Sequence, residues 1–381
     1  MADIVSLRRC ESYDENAVNA AVAKAVADIG GFAPYIAPGE RVLLKANLVM
    51  RKKPEEAATT HPAIMKALAT LLIAYGCSVV IGDSPGGPFN EAALKGIYES
   101  TGMRRVAEET GAALNTNIKS RVRANPPGLL LKQITMADML NDVDKVISVA
   151  KLKTHGMMAY TGAAKNMFGT IPGVAKAEYH MSKPTHKNFA DALIDICLCA
   201  NPVLSFIDGI VGMEGAGPTS GVPRALGVVL AAANPFAADK TACRIIGLSE
   251  ANVPLLAQAV KRGLCGAGMS ALDLRGDPIE SFSVPDFNIP QTHAILGLSR
   301  LPKPIRRFTE ANLSPRPVFD HAACIGCGDC AKNCPAKVIA MRERKPYVTP
   351  DGCIRCFCCQ ELCPKKAVSA YRPALLRLLR K

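Results

Sequence analysis

Cys324-Ile325-Gly326-Cys327-Gly328-Asp329-Cys330-Ala331-Lys332-Asn333-Cys334-Pro335 recurs, in pattern, as Cys353-Ile354-Arg355-Cys356-Phe357-Cys358-Cys359-Gln360-Glu361-Leu362-Cys363-Pro364. Both stretches obey C-x2-C-x2-C-x3-C-P, and nine of the 15 cysteines of this 381-residue chain fall between Cys324 and Cys363. Two-residue gaps let three thiolates converge on one metal–sulfur face while the intervening amides point at the sulfurs. A zinc ribbon needs four ligands around one ion and has no use for two triplets, each with a distant fourth. The crowding rules out a generic enzyme with incidental thiols.

The spacing resembles that of the bacterial two-cluster ferredoxins. That resemblance implies two [4Fe-4S] clusters with crossed ligation. One takes Cys324, Cys327, Cys330 and Cys363; the other takes Cys353, Cys356, Cys359 and Cys334. Cys358 falls outside the pattern and reads as a non-ligand beside the cluster, and Gly326 and Gly328 suit a close backbone approach. The stiff stretch Leu313-Ser314-Pro315-Arg316-Pro317 marks a boundary, giving residues 1–311 and 312–381 as two domains. The second is too short for a large apolar core, so the clusters serve it as staples. Its expected fold is a small bacterial-ferredoxin-like α+β domain.

Upstream, short apolar runs alternate with helical patterns. Arg41–Asn47, Ser78–Asp83, Asp144–Ala150, Val203–Asp208 and Leu226–Ala232 read as strands without clean polar alternation, hence buried on both faces. Helices are predicted from His61 to Ala74, with Pro62 in the first turn, from Asn90 to about Thr110, and from Pro235 or Ala237 onward. The expected class is α/β, a parallel or mixed sheet with flanking helices.

Lys151-Leu152-Lys153-Thr154-His155 follows one strand, and Gly162-Ala163-Ala164-Lys165-Asn166-Met167-Phe168-Gly169, Lys176, His180 and His186 come after it. These lysines are interleaved with Gly, Ala, Met and Phe rather than with acids, which suggests a half-buried loop whose charges need an anionic partner. Polar residues at strand ends are where α/β folds place ligands. Lys153, His155, Lys165 and His180 are therefore the candidate catalytic residues. Asp83, Ser84, Gly86 and Gly87, in the turn Gly82–Pro88, are candidates for cofactor binding through backbone amides, although the turn lacks the P-loop ending. Asn166, Asp208 and Glu214 complete that set. His61 reads as a helix-cap neighbour.

Composition sets the outer limits. Apolar residues make up 49% and charged residues 21%, as in globular proteins, with 5% aromatics and no Trp. The formal charge is +13, of which +8 falls in 312–381, where 13 Lys and Arg meet 5 Asp and Glu. Each oxidised cluster with its thiolates carries about −2 and offsets much of that excess. No aromatic platform accompanies the basic residues, so nucleic acid is not the expected partner. The N-terminus has no leader pattern and no apolar stretch is long enough to span a bilayer, so the expectation is a cytoplasmic protein without a transmembrane segment. Residues 371–381 read as a short basic amphipathic helix.

Lys-Thr-His, Lys-Asn-Met-Phe-Gly, Gly-Asp-Ser-Pro-Gly-Gly and Asp208–Gly215 resemble the family called domain of unknown function 362, often fused to a ferredoxin domain. The resemblance implies an iron–sulfur protein of anaerobic metabolism. Gly162–Gly173 is also similar to the lactate racemase family. The leading expectation is an iron–sulfur oxidoreductase whose clusters exchange electrons with a substrate or cofactor site in the α/β domain. An anionic small molecule is the expected substrate, a flavin or a metal the further cofactor, and a redox protein the donor or acceptor. The alternatives are a non-enzymatic module docking a redox partner, and a racemase or proton-transfer enzyme with structural clusters.

Overall fold

The computed structural model describes residues 2–183, 185–290, 302, 315–349 and 352–371. The large domain is built on strands β1 (Asp3–Arg9), β2 (Arg41–Lys45), β3 (Ser78–Gly82), β4 (Ala113–Leu114), a separate hairpin β5–β6 (Ser120–Ala124, Gln133–Ala137), β7 (Lys145–His155), β8 (Ala159–Thr161), β9 (Leu204–Glu214), β10 (Val222–Ala232) and β11 (Leu272–Gly276). The main sheet runs β11-β1-β10-β9-β7-β2-β3-β4, with β8 added to β7. Its central β9-β7-β2-β3 portion is parallel, while β10 lies antiparallel to both β1 and β9. The class is therefore α/β with a mixed sheet.

Continuous apolar runs form these strands because both faces of the sheet are covered. Successive strand residues point to opposite faces, and Val228, Leu230 and Ala232 join one core layer while Val229 and Ala231 join the other. Helices α1 (Glu15–Asp28) and α2 (Pro62–Ala74) close the second layer, with Val22 and Leu68 fully buried. The expected helix over 90–110 is two helices, α3 (Glu91–Ser100) and α4 (Met103–Thr110). Gly102, at φ +77°, breaks the run, and Thr101 Oγ1 turns back and donates to the Ile97 carbonyl at 2.7 Å.

The stretch expected as a half-buried loop after Ala150 is ordered differently. Strand β7 continues to His155, and Lys165 sits on a short helix α5 (Ala163–Asn166). Lys176 and His180 lie on α6 (Lys176–Ser182), ahead of α7 (His186–Ala200) and α8 (Pro235–Ile245). Pairing with β9 on one side and β8 on the other carries the strand on, so its lysines are buried in the sheet.

The small domain keeps the internal repeat of its sequence. Strand β12 (Arg316–Phe319) pairs with β15 (Val368–Tyr371), and β13 (Ile339–Arg342) with β14 (Lys345–Val348). Each cysteine triplet runs into one helical turn, Asp329–Lys332 or Cys358–Glu361. Equivalent positions adopt left-handed backbone: Gly326 (φ +71°) and Gly328 (+79°) in the first repeat, Arg355 (+57°) and Phe357 (+61°) in the second. Glycine takes that conformation without strain; the second repeat holds it with full side chains. The expected 311/312 boundary, and the basic helix beyond Tyr371, lie outside the described residues.

Candidate functional site

From β2 the chain crosses to β3 on one side, while β7 pairs with β2 on the other. The order of the parallel strands thus reverses at the β2–β7 junction, where α/β sheets open a crevice beyond their carboxyl ends. A cleft of about 720 Å³ lies there. One wall comes from the large domain through Asn47, Asp83–Gly87, Lys153, Lys165, Asn166, Phe168, Lys176 and His180. The other comes from the small domain through Cys334, Pro335, Lys337, Cys358, Glu361 and Leu362.

Specific contacts seat the small domain on this wall. Thr219 Oγ1 donates to the Glu361 carbonyl at 2.9 Å, and Lys366 Nζ lies 3.8 Å from Glu56 Oε1. Gly86 makes room for Leu362, since a Cβ there would stand 3.2 Å from Leu362 Cδ2. His155 Nδ1 accepts from the amides of Met157 and Met158 at 3.1 and 3.2 Å, so the ring proton sits on Nε2, 3.2 Å from Glu361 Oε1. Burial, followed by the nearby Lys165, holds His155 below the ordinary histidine range. Burial by itself would raise the Glu361 carboxyl; the His155 hydrogen bond, with the charges of His155 and Lys165, outweighs it and brings the group down to about 2.

The cleft's cations are not equivalent. Lys153 is fully buried in β7 and donates to the Ala58 carbonyl at 2.7 Å; burial, then Lys165 and Lys151, lower it to about 7. Lys176 donates to the carbonyls of Ser84 and Ile171, both at 2.6 Å, and burial likewise brings it to about 7. Lys165 has no hydrogen bond or ion pair among the described residues; its ammonium stands 5.5 Å from the Phe168 ring centroid. Burial lowers its pKa as well, opposed by Glu361 and Cys358. His180 stacks on Phe189 at 4.4 Å, is pushed by burial to about 4, and leaves Nδ1 without a partner. The large-domain wall thus offers an unpaired lysine, two carbonyl-held lysines and a neutral imidazole, and the small-domain wall adds Lys332 and Lys337.

Lys153, Lys165, His180, Asp83, Ser84, Gly86, Gly87 and Asn166 therefore gather at one cleft, as the sequence suggested, and His155 stands behind it as the contact to Glu361. Two amides of the Gly82–Pro88 turn are already engaged. Ser84 N–H donates to the Gly169 carbonyl and Gly86 N–H to that of Val49, so the turn faces Lys176 with carbonyls instead. Asp83 is consumed in a buried ion pair with Lys45, 2.6 Å away, and Lys45 also reaches Asn166 Oδ1 at 3.2 Å. Gly169 is required beside them, because a Cβ would stand 2.3 Å from Asp83 Oδ1.

Asp208 and Glu214 are not brought to the cleft. Asp208 pairs with Lys151 at 2.6 Å and accepts from Tyr13 at 2.8 Å, and Glu214 accepts from the Asn288 amide at 2.9 Å. Their strand, expected to end in a glycine loop after Asp208, runs on to Glu214 and places Asp208 inside the sheet. His61 caps α2 through Nδ1, accepting from Ala63 at 3.2 Å, and stacks on Tyr13. Lys45 and Glu361 were missed as site residues, and Lys176, noted in the lysine-rich stretch, was left out of the candidate set. A lysine inside an apolar strand run was the one signal for Lys45; Glu361, between two cysteines, carried none.

The cysteines of the two repeats lie in different surroundings. Cys324, Cys327, Cys330 and Cys363 line one cavity together with Phe319 and Met341. Burial, then Cys356, Cys353, Cys330 and Cys334, push the Cys359 thiol up, and burial first raises that of Cys353.

Residues 316–364 match the 4Fe-4S dicluster domain, and residues 42–244 match the domain of unknown function DUF362. The thylakoid-associated protein sll1697 of Synechocystis sp. is 31% identical over 265 residues, covering 69% of this chain and 81% of that protein. The lactate racemase apoprotein of Thermoanaerobacterium thermosaccharolyticum aligns at a TM-score of 0.41 and 10% identity, over 64% of this chain and 57% of that one. A Thermotoga maritima protein aligns at 0.37 and 14%, over 62% and 59%. Scores at that level carry no argument. Among the described residues no helix is long and apolar enough to cross a membrane. By the extent of the two matches, the chain belongs to the DUF362 family and bears a ferredoxin-type 4Fe-4S domain behind the family's own.

Proposed function

We propose that this protein is an iron–sulfur oxidoreductase that exchanges electrons with an anionic substrate or cofactor held between its two domains. The observation that carries this reading is the composition of the cleft, where Lys153, Lys165 and Lys176 of the large domain face the cysteine segments of the small one. The clusters, when bound by the two cysteine sets, supply single electrons. Lys165 binds the ligand's carboxylate or phosphate, because its ammonium lacks a partner among the described residues and lies on the large-domain wall of the cleft. Lys153 and Lys176 add positive charge from fixed positions. His180, neutral and with Nδ1 unpartnered, accepts or returns a proton as the ligand's charge changes. His155 keeps its proton on Nε2 toward Glu361 and positions the small domain. Phe168, Pro335 and Leu362 exclude water around the apolar part of the ligand. A flavin with its phosphate at Lys165 belongs to the class of ligand this cleft accepts, and a one-electron redox protein is the external partner.

The test is to purify the full chain without oxygen, count iron, denature it and identify released small molecules by mass spectrometry. The wild type should release an anionic compound that Lys165→Met and Lys153→Met lose while retaining iron. Equal release from all three proteins would overturn the cleft assignment.

A further inference from the structure

The two cysteine sets stand differently toward the cleft. Cys334, of the second set, is buried and itself lines the cleft. The chain around Cys359 adds Cys358, Glu361 and Leu362 to the same wall. None of Cys324, Cys327, Cys330 and Cys363 lines it; they surround a separate cavity. That cavity lies toward solvent, since Cys327 is exposed and the adjacent Ile325 keeps 51% of its surface, whereas Cys356 and Cys359 are buried.

We infer that the two cluster sites have fixed and different tasks. The site of Cys353, Cys356, Cys359 and Cys334 exchanges electrons with the occupant of the cleft, and the site of Cys324, Cys327, Cys330 and Cys363 exchanges them with an external one-electron carrier. The inference rests on the reading of the cleft given above. Electron tunnelling falls steeply with distance, so exposure at one end and the cleft wall at the other impose the order. Each passage oxidises the carrier by one electron and reduces the first site by one. The same electron then leaves for the second site, and no bond in the protein forms or breaks.

The test is an EPR-monitored redox titration of the iron-loaded full chain. A nearby positive charge stabilises an added electron. Lys165→Met, which removes a charge lining the cleft beside Cys358, should lower the reduction step of the second site and leave the first unmoved. Ile325→Lys should raise the step of the first site alone. Cys327→Ser, by altering the first site, identifies which step is which; should that variant lose its iron, broadening by a dysprosium–EDTA chelate, which reaches the exposed site, makes the assignment. Movement of the first-site step by Lys165→Met, equal movement of both, or movement of neither overturns the inference. These shifts need no ligand, so a cleft that retained no anion would end the proposed function while leaving them in place.

Discussion

His155 Nε2 and Glu361 Oε1 stand 3.2 Å apart, joining the last residue of a central sheet strand to the turn between two cysteines of the small domain. The His155 side chain is buried while that of Glu361 keeps 21% exposure, and the His155 ring is fixed by two backbone amides on its other nitrogen. The pair turns the small domain into a wall of the cleft.

Removing the acceptor should therefore loosen the two domains. Glu361→Ala removes the carboxylate that faces the buried His155 Nε2 at 3.2 Å and is expected to cost about 1–3 kcal/mol. Glu361→Gln keeps an acceptor oxygen and should cost less. Thermal unfolding of the iron-loaded variants reads the difference, and equal losses would deny the hydrogen bond its role.

Lys153 predicts a pH dependence of stability. It titrates near 7 in the folded protein because of burial first, against about 10.4 in an unfolded chain. Between those values the unfolded chain binds more protons, so this lysine's contribution to stability rises with pH, and its penalty is fully present below 7. The stability of Lys153→Met relative to wild type should then be most favourable at pH 6.5 and decline toward pH 10. Chemical denaturation across that range gives the comparison; a constant gap would contradict the assigned shift.

The Lys45–Asp83 pair should behave as a buried ion pair. Asp83→Ala strands an ammonium with no exposure and is expected to destabilise by about 3–5 kcal/mol. Lys45→Met combined with Asp83→Leu should recover a large part of that loss, because neither charge then remains buried. Urea unfolding of the single and double variants measures both.

Cys358 is the thiol that the repeat does not need. Cys358→Ser should retain about eight irons per chain, while Cys359→Ala should fall toward about four. Iron analysis of protein handled without oxygen separates the two, and a loss of iron in Cys358→Ser would make that residue a ligand.

The sequence by itself determined what depends on neighbours in the chain. Cluster spacing is local, so both cysteine repeats were legible, as were the strands built on the apolar runs Val42–Leu44, Val79–Ile81 and Leu226–Ala232, the last extended by the structure back to Val222. The gathering of Lys153, Lys165 and His180 was legible from lysines set among apolar residues. Tertiary structure alone decided the rest. Lys151 and Asp208 oppose one another in the register of adjacent parallel strands, which makes Asp208 a structural counter-ion rather than a ligand. Lys45 finds Asp83 because β2 and β3 are neighbours, and Glu361 reaches His155 only once the small domain is seated. No local pattern encodes these pairings; the order of strands and the docking of one domain on another set which buried charge meets which.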